Sequence, residues 1–484
     1  MTVKNTQISS RVWTRHIHEP FVRAALVIAL TTGFGYGAAM VAMLALGVVP
    51  GAWYPALVQA HGHAQLFGWL GLFVMGMGLY FLPRLRGTQL QKQERLRYAF
   101  ALLVTGIALR TLTQPTAGWL GMNALWRALL LLSSLLEIAG MVVVASALVA
   151  TIRAQKPLTP NAPAYPVEPF AQIGFLCLAL AYAFNFLGVG DAFLQARAVM
   201  AARYDQLVIQ LILYGVAIPM VIVFSLRNLP LFMRLALPPR GGWRTLALVY
   251  AGALFLRTAP QWSAIADDAL GAAGALLRAN YVLVILFDAL ATMGTIALNG
   301  CILFFLWRLD LIRRRPPWIV DRAPNTRPDL DYLRPPSRAN YPDNGEYGRF
   351  ELLIYSAFVW LVVAVILDVL RALPGVDQVV TIPQDGARHA LMAGFITLLI
   401  FGMAARMAPG FSGKRGVAYP DLVMWLFVLG NTAALLRVVP TFFPQSTFAL
   451  MLWGLSGFVA WVAVLTLAIL MWGTFRVERR DVPP

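Results

Sequence analysis

The sequence predicts an all-α protein that crosses a membrane about twelve times. Three observations carry that reading. Apolar stretches of spanning length recur along the chain, charged residues make up only 13% of it, and Lys and Arg collect in every second connection. A soluble domain is about a quarter charged. Here 59% of residues are hydrophobic and the mean hydropathy is +0.68, so lipid is part of the solvent. Helices suit that medium because they satisfy their own backbone groups.

A spanning helix needs about 20 mostly apolar residues. The segments in chain order are 21–47, 61–83, 97–113, 123–151, 169–187, 204–226, 243–258, 280–308, 350–373, 386–408, 419–440 and 447–475, of which the third and seventh are short. Cytoplasmic loops carry the excess of Lys and Arg. With the N-terminus inside, 30 basic residues lie on the cytoplasmic side and 9 outside. Both termini are therefore expected to be cytoplasmic, in a bacterial inner membrane. The +17 net charge follows topology and does not mark a nucleic-acid partner; the partner it implies is the bilayer. The polar first twenty residues lack the apolar core of a signal peptide.

Five regions follow: a tail over 1–20, helices over 21–308, a loop over 309–349, helices over 350–475 and a tail over 476–484. The loop is rich in Arg, Pro, Asp and Asn and reads as a solvated linker whose basic start meets anionic lipid.

An internal repeat is visible. The third, seventh and eleventh segments end in GIALRTLTQP, GALFLRTAPQW and AALLRVVPTF, which place Arg110, Arg257 and Arg437 at the outer face. The segments before them begin with His63, Asp205 and His389, 142 and 184 residues apart. Removal of the long loop makes the two spacings nearly equal, so three pseudo-repeated four-helix units fit. Sites in repeat proteins often lie at the repeat interfaces.

The chain has only five histidines. His61 and His63 open the second segment and His389 opens the tenth, and all three are expected near the outer face. Imidazole is a good metal and haem ligand and is costly to bury at a membrane helix end. Residues two apart point about 200° apart on a helix, so one of His61 and His63 can ligate and the other needs a different role. Haem propionates call for Arg, and Arg110, Arg257, Arg388 and Arg437 are the outer candidates. Gly68, Gly71, Gly76, Gly78, Gly394 and Gly402 allow close approach of a macrocycle or of another helix. Phe67, Trp69, Phe395 and Phe401 are candidate pocket walls or plain core. His16 and His18 read as solvated residues of the N-terminal tail.

Glu137, Asp288 and Asp368 are acids within apolar segments, the usual mark of a relay or a pathway. Asp368 has Arg371 one turn on, whereas Glu137 and Asp288 have no evident partner in the sequence. Cys177 and Cys301 lie in apolar runs and read as packing residues.

The run HGHAQLFGWLGLFVMGMGLYFLPRLRG resembles the second-helix segment of the NnrS family. HALMAGFITLLIFGMAARMAPGFSGK resembles that family's His-Ala-Leu signature, and EPFVRAALVIAL its first helix. The resemblance implies a membrane protein with haem and copper, linked to nitric oxide metabolism and nitrosative stress, with His61, His63 and His389 as haem or metal ligands. Ala64 and Gln65 stand where the family has Glu and Met, so no role of that Glu transfers. The plan also resembles subunit I of the haem-copper oxidases, but its histidines on the sixth and seventh helices are missing here. The expectation is a haem-binding protein that meets NO or another small gaseous ligand and an electron donor. A divergent quinol oxidase or NO reductase and a solute or proton transporter are the rivals.

Overall fold

The computed structural model describes residues 16–155, 157–233, 235, 237–271, 281–312, 344–378 and 381–476. The N-terminal fifteen residues, most of the 309–349 loop and all but one residue of the C-terminal tail fall outside these. The protein is an all-α polytopic membrane protein, with no strand among the described residues.

Eleven helices are long and apolar enough to cross a membrane among the described residues: α1 (His18–Ala45), α2 (Tyr54–Leu85), α3 (Gln93–Leu120), α4 (Ala124–Arg153), α5 (Glu168–Leu194), α6 (Ala202–Phe232), α8 (Val282–Leu309), α9 (Phe350–Ala372), α10 (Gln384–Phe411), α11 (Leu422–Phe442) and α12 (Thr447–Arg476). The twelfth expected span, α7 (Trp243–Arg257), has 15 residues. That is about 22 Å of helix, short of a hydrocarbon core of about 30 Å. Its stop is local: Thr258 leaves helical geometry and Pro260 brings no N–H to continue the ladder. The Thr258 hydroxyl bonds the Leu254 carbonyl and accepts from the Trp262 indole. A new helix, Ala259–Ala269, follows.

The expected boundaries need three corrections. The third helix, expected to be short at 97–113, runs over Gln93–Leu120. The second helix starts at Tyr54, with Pro55 in its first turn, rather than at 61. His61 and His63 therefore lie about two turns inside the helix. The first helix starts at His18, which is fully buried and packs edge-on against Tyr80. It is not a solvated tail residue.

Four helices contain wide π turns: Ala29–Gly33 in α1, Ala64–Gly71 in α2, Leu211–Ala217 in α6 and Ala390–Thr397 in α10. Such turns are rare and recur at functional sites. The three in α2, α6 and α10 share one local sequence frame. The residue before each onset is His63, Gln210 or His389, and a glycine follows five residues later, at Gly68, Gly215 and Gly394. Each glycine receives a neighbouring side chain where a Cβ would stand: Ile28, Cys177 and Trp360 respectively. These three helices are also the most enclosed, at 83%, 78% and 83% of their apolar windows. Gln210, rather than the expected Asp205, is thus the counterpart of His63 and His389.

The chain divides into two compact units. One comprises Met1–Gly37, Gly47–Met220 and Gly242–Cys301, the other Ala38–Leu46, Val221–Gly241 and Ile302–Pro484. In the first, α3 and α4 pack through a glycine on each: Gly106 faces Ser133 and Glu137, and Gly140 faces Ala99 and Leu103. In the second, Gly394 and Gly402 of α10 take Trp360 and Ile354 of α9. Gly68 and Gly76 of α2 are likewise filled, by Ile28 and Phe21. These glycines serve helix packing, the smaller-scale of their two readings. Cys177 and Cys301 are buried free thiols, in keeping with packing roles.

Candidate functional site

The histidines of α2 face different neighbours, as their spacing requires. His61 Nδ1 lies 2.9 Å from the Gly33 carbonyl, at the end of the π turn in α1. A carbonyl can only accept, so Nδ1 carries the proton and Nε2 the lone pair. Gly37 makes room for the ring, since a Cβ there would stand 2.8 Å from His61 Cε1. His63 turns toward α4, where its Nε2 is 2.9 Å from Glu137 Oε1. Both groups are buried, and the imidazole stacks on Phe67 with ring centroids 4.5 Å apart.

Glu137 therefore has the partner that the sequence did not reveal, and it has a second. Asn185 of α5 donates to Oε2 at 3.4 Å. Tyr182, one turn earlier on α5, packs against Phe67, and its buried hydroxyl has no hydrogen-bond partner among the described residues. A buried carboxyl group is costly unless it is hydrogen-bonded, and His63 and Asn185 supply those bonds.

His389 belongs to the second unit. Its Nδ1 is 2.8 Å from the Asp385 main-chain carbonyl and 3.0 Å from Asp385 Oδ1. Both partners are acceptors, so Nδ1 carries a proton here too. Asp385 also pairs with Arg437 Nη2 at 2.9 Å, so one carboxylate orients the imidazole and holds a guanidinium. A carboxylate or carbonyl on the far nitrogen is the usual support of a metal-ligating histidine. Asp385 was missed in the sequence, although Asp-x-x-x-His places both residues on one helix face.

The arginines of the repeat also have protein partners. Buried Arg110 donates from Nε to Gln114 Oε1 at 2.9 Å, and Gln114 in turn donates to Gln59 Oε1. Arg257 donates to Gln210 Oε1 at 2.8 Å and lies 4.1 Å over the Tyr214 ring. Arg437 holds Asp385. Arg257 thus reaches the residue just before a π turn, whereas Arg437 and, through Gln114, Arg110 reach a residue one turn earlier, Asp385 and Gln59. Arg388 is partly exposed beside His389.

Asp288 lies on an exposed face of α8, whereas Asp368 is buried in α9. Phe67, Trp69, Phe395 and Phe401 are all core residues. No group of three or more His, Cys, Asp or Glu able to hold a metal ion is formed among the described residues.

Comparison with known proteins adds to this geometry. Residues 348–480 match the family model described as NnrS protein. The NnrS match takes in α9 to α12, and so includes Asp385, Arg388, His389 and Arg437. It does not reach His61 or His63. The fold is similar to that of a haem-copper terminal oxidase dimer solved by cryo-EM, with a TM-score of 0.58 and 12% sequence identity over 96% of this chain and 84% of that one. No curated protein matches the sequence. The distant likeness to the oxidase plan, expected from the helix count, is a likeness of fold.

Proposed function

We propose that this is a haem-binding protein of a bacterial inner membrane, NnrS-like, which acts in nitric oxide metabolism or in tolerance of nitrosative stress. One observation carries the haem reading: His61 and His389 each anchor Nδ1 on a carbonyl and so present Nε2 as the basic nitrogen. Haem iron takes a neutral imidazole in that form. The donor set fits the group. Within the second unit His389 would offer the iron an imidazole, and Arg388 and Arg437 would neutralise propionates; within the first unit His61 would offer an imidazole of its own. Bound haem would supply a site for NO or for one-electron transfer.

The chain's own contribution is orientation. The Gly33 carbonyl holds one ring and Asp385 the other, while Arg437 holds Asp385 in place. His63 is a weaker ligand candidate, because its Nε2 is engaged by Glu137. The repeat frame makes His63 the counterpart of His389, so the two histidines of α2 divide by hydrogen bonding and not by position. Copper, which the family resemblance also implies, finds no preformed ligand group among the described residues. An oxidase or reductase built on two metals has correspondingly less support.

The test is the reduced-minus-oxidised optical spectrum of purified protein, wild type beside His61→Ala, His63→Ala and His389→Ala. A weakened or shifted Soret band in the first and third variants, with an unchanged band in the second, is the expected result. Loss in His63→Ala alone would transfer the ligand role to His63. A well-folded wild type from haem-replete cells without a Soret band would end the haem reading. Nitric oxide titration of the haem-loaded protein then tests the physiological half. The buried His63–Glu137–Asn185 cluster favours proton or solute transport as the second reading, and reconstituted transport that persists in His61→Ala and His389→Ala but is lost in Glu137→Ala would support it.

A further inference from the structure

A groove of about 680 Å³ lies between α1 and α3 within the first unit. It starts at Glu19 and Arg23, runs past Val27, Phe100 and Val104, and ends at Thr31 in the π turn of α1. The twelve residues from Glu19 to Thr31 span about 18 Å of helix. One leaflet of a hydrocarbon core about 30 Å thick has nearly that depth. The groove therefore has a charged end, an apolar wall and the length of one leaflet.

The charged end carries both signs. Glu19 Oε2 is 3.5 Å from Arg23 Nη2, and Oε1 is 3.9 Å from His16 Nδ1. Acid and base stand one helical turn apart on the same face, in the first two turns of the first spanning helix. We propose that the groove seats one zwitterionic, primary-amine phospholipid of the phosphatidylethanolamine class. Arg23 takes the phosphate, Glu19 takes the ammonium, and an acyl chain lies against Val27, Phe100 and Val104. An anionic lipid that draws Arg23 onto its phosphate leaves Glu19 with His16 alone, at 3.9 Å, whereas an ethanolamine ammonium replaces the cation that Glu19 gives up. An isoprenoid quinone matches the apolar wall but neither charge.

The seat has a structural consequence. Ile28, on the groove wall, fills the space above Gly68 of α2, and Gly33, which ends the same π turn, orients His61. A lipid in the groove would press the face of α1 that supports this contact. The lipid site itself does not depend on the haem reading.

The experiment is native mass spectrometry of the full chain, delipidated and returned to micelles containing phosphatidylethanolamine or phosphatidylglycerol. The wild type should retain one ethanolamine lipid and prefer it by about threefold, the scale of one partly exposed charged contact. Glu19→Gln should abolish that preference, and Arg23→Gln should weaken retention of both lipids. Val27→Trp, at a half-exposed position, should block the groove. Equal retention of the two lipids by the wild type overturns the proposal. So does retention unchanged in both Val27→Trp and Arg23→Gln, or an isoprenoid quinone as the extracted occupant. If Val27→Trp fails to fold, the lipid preference of Glu19→Gln decides alone.

Discussion

Glu137→Ala should destabilise the folded protein by about 2–4 kcal/mol. Glu137 is fully buried, and its two oxygens accept from His63 Nε2 at 2.9 Å and Asn185 Nδ2 at 3.4 Å. Truncation leaves two donors without an acceptor, each worth about 1–3 kcal/mol when buried. The Asn185 bond is long and belongs at the low end of that range. Hydrogen bonds between membrane helices average only about 0.6 kcal/mol in double-mutant cycles, because the unfolded chain in lipid also finds partners. The larger figure applies here because the lost partner is ionisable and fully buried. Unfolding by denaturing detergent in mixed micelles, followed by tryptophan fluorescence, measures the loss. A cycle with His63→Ala isolates the pair, with an expected coupling of about 1–2 kcal/mol. Glu137→Gln keeps one acceptor and should cost less than Ala. Additivity of the two alanine changes within about 0.5 kcal/mol would refute the argument that His63 and Glu137 act as a pair.

Three further outcomes are expected. Gly37→Ala should displace the His61 ring, since its Cβ would stand 2.8 Å from Cε1; the haem spectrum should shift while helical circular dichroism stays unchanged. Asp385→Ala removes the carboxylate but leaves the main-chain carbonyl on His389, so haem affinity should fall by about 10–100-fold without complete loss, as haem titration will measure. Tyr182→Phe should be neutral or stabilising by up to about 1 kcal/mol, because its buried hydroxyl has no hydrogen-bond partner among the described residues; a clear loss of thermal stability would show that the hydroxyl is in use.

Much of the fold was legible because lipid imposes a simple rule: long apolar runs must be helices, and basic loops alternate. The short seventh segment showed its weakness in composition, and it falls short because Thr258 and Pro260 stop it. The start of α2 was not legible, since GAWYPALVQA is only moderately apolar and the extra two turns rest on packing. At the site, composition pointed to His61, His63 and His389, but it could not show where each ring turns. The partner of Glu137 lies 74 residues away on another helix, and no local spacing encodes that contact. Asp385 was within reach, because its four-residue offset from His389 is a helical one. His18 was misread because a polar tail was assumed to end before the first helix began.

The repeat is where sequence and structure inform each other most. Arg110, Arg257 and Arg437 recur on α3, α7 and α11, but the matching of His63, Asp205 and His389 is five residues out at its middle member. The π turns correct it, since each begins one residue after His63, Gln210 or His389 and takes a neighbouring side chain at the glycine five residues on. A π turn inserts a residue into the helix and rotates everything beyond it, so its position is more diagnostic than any single polar side chain. In this frame the middle repeat has Gln210 where the outer two have histidine. Its amide accepts from Arg257 and offers a metal no basic nitrogen. Three copies of one local device therefore serve two chemistries: imidazoles in the first and third, and a neutral amide–guanidinium contact in the second.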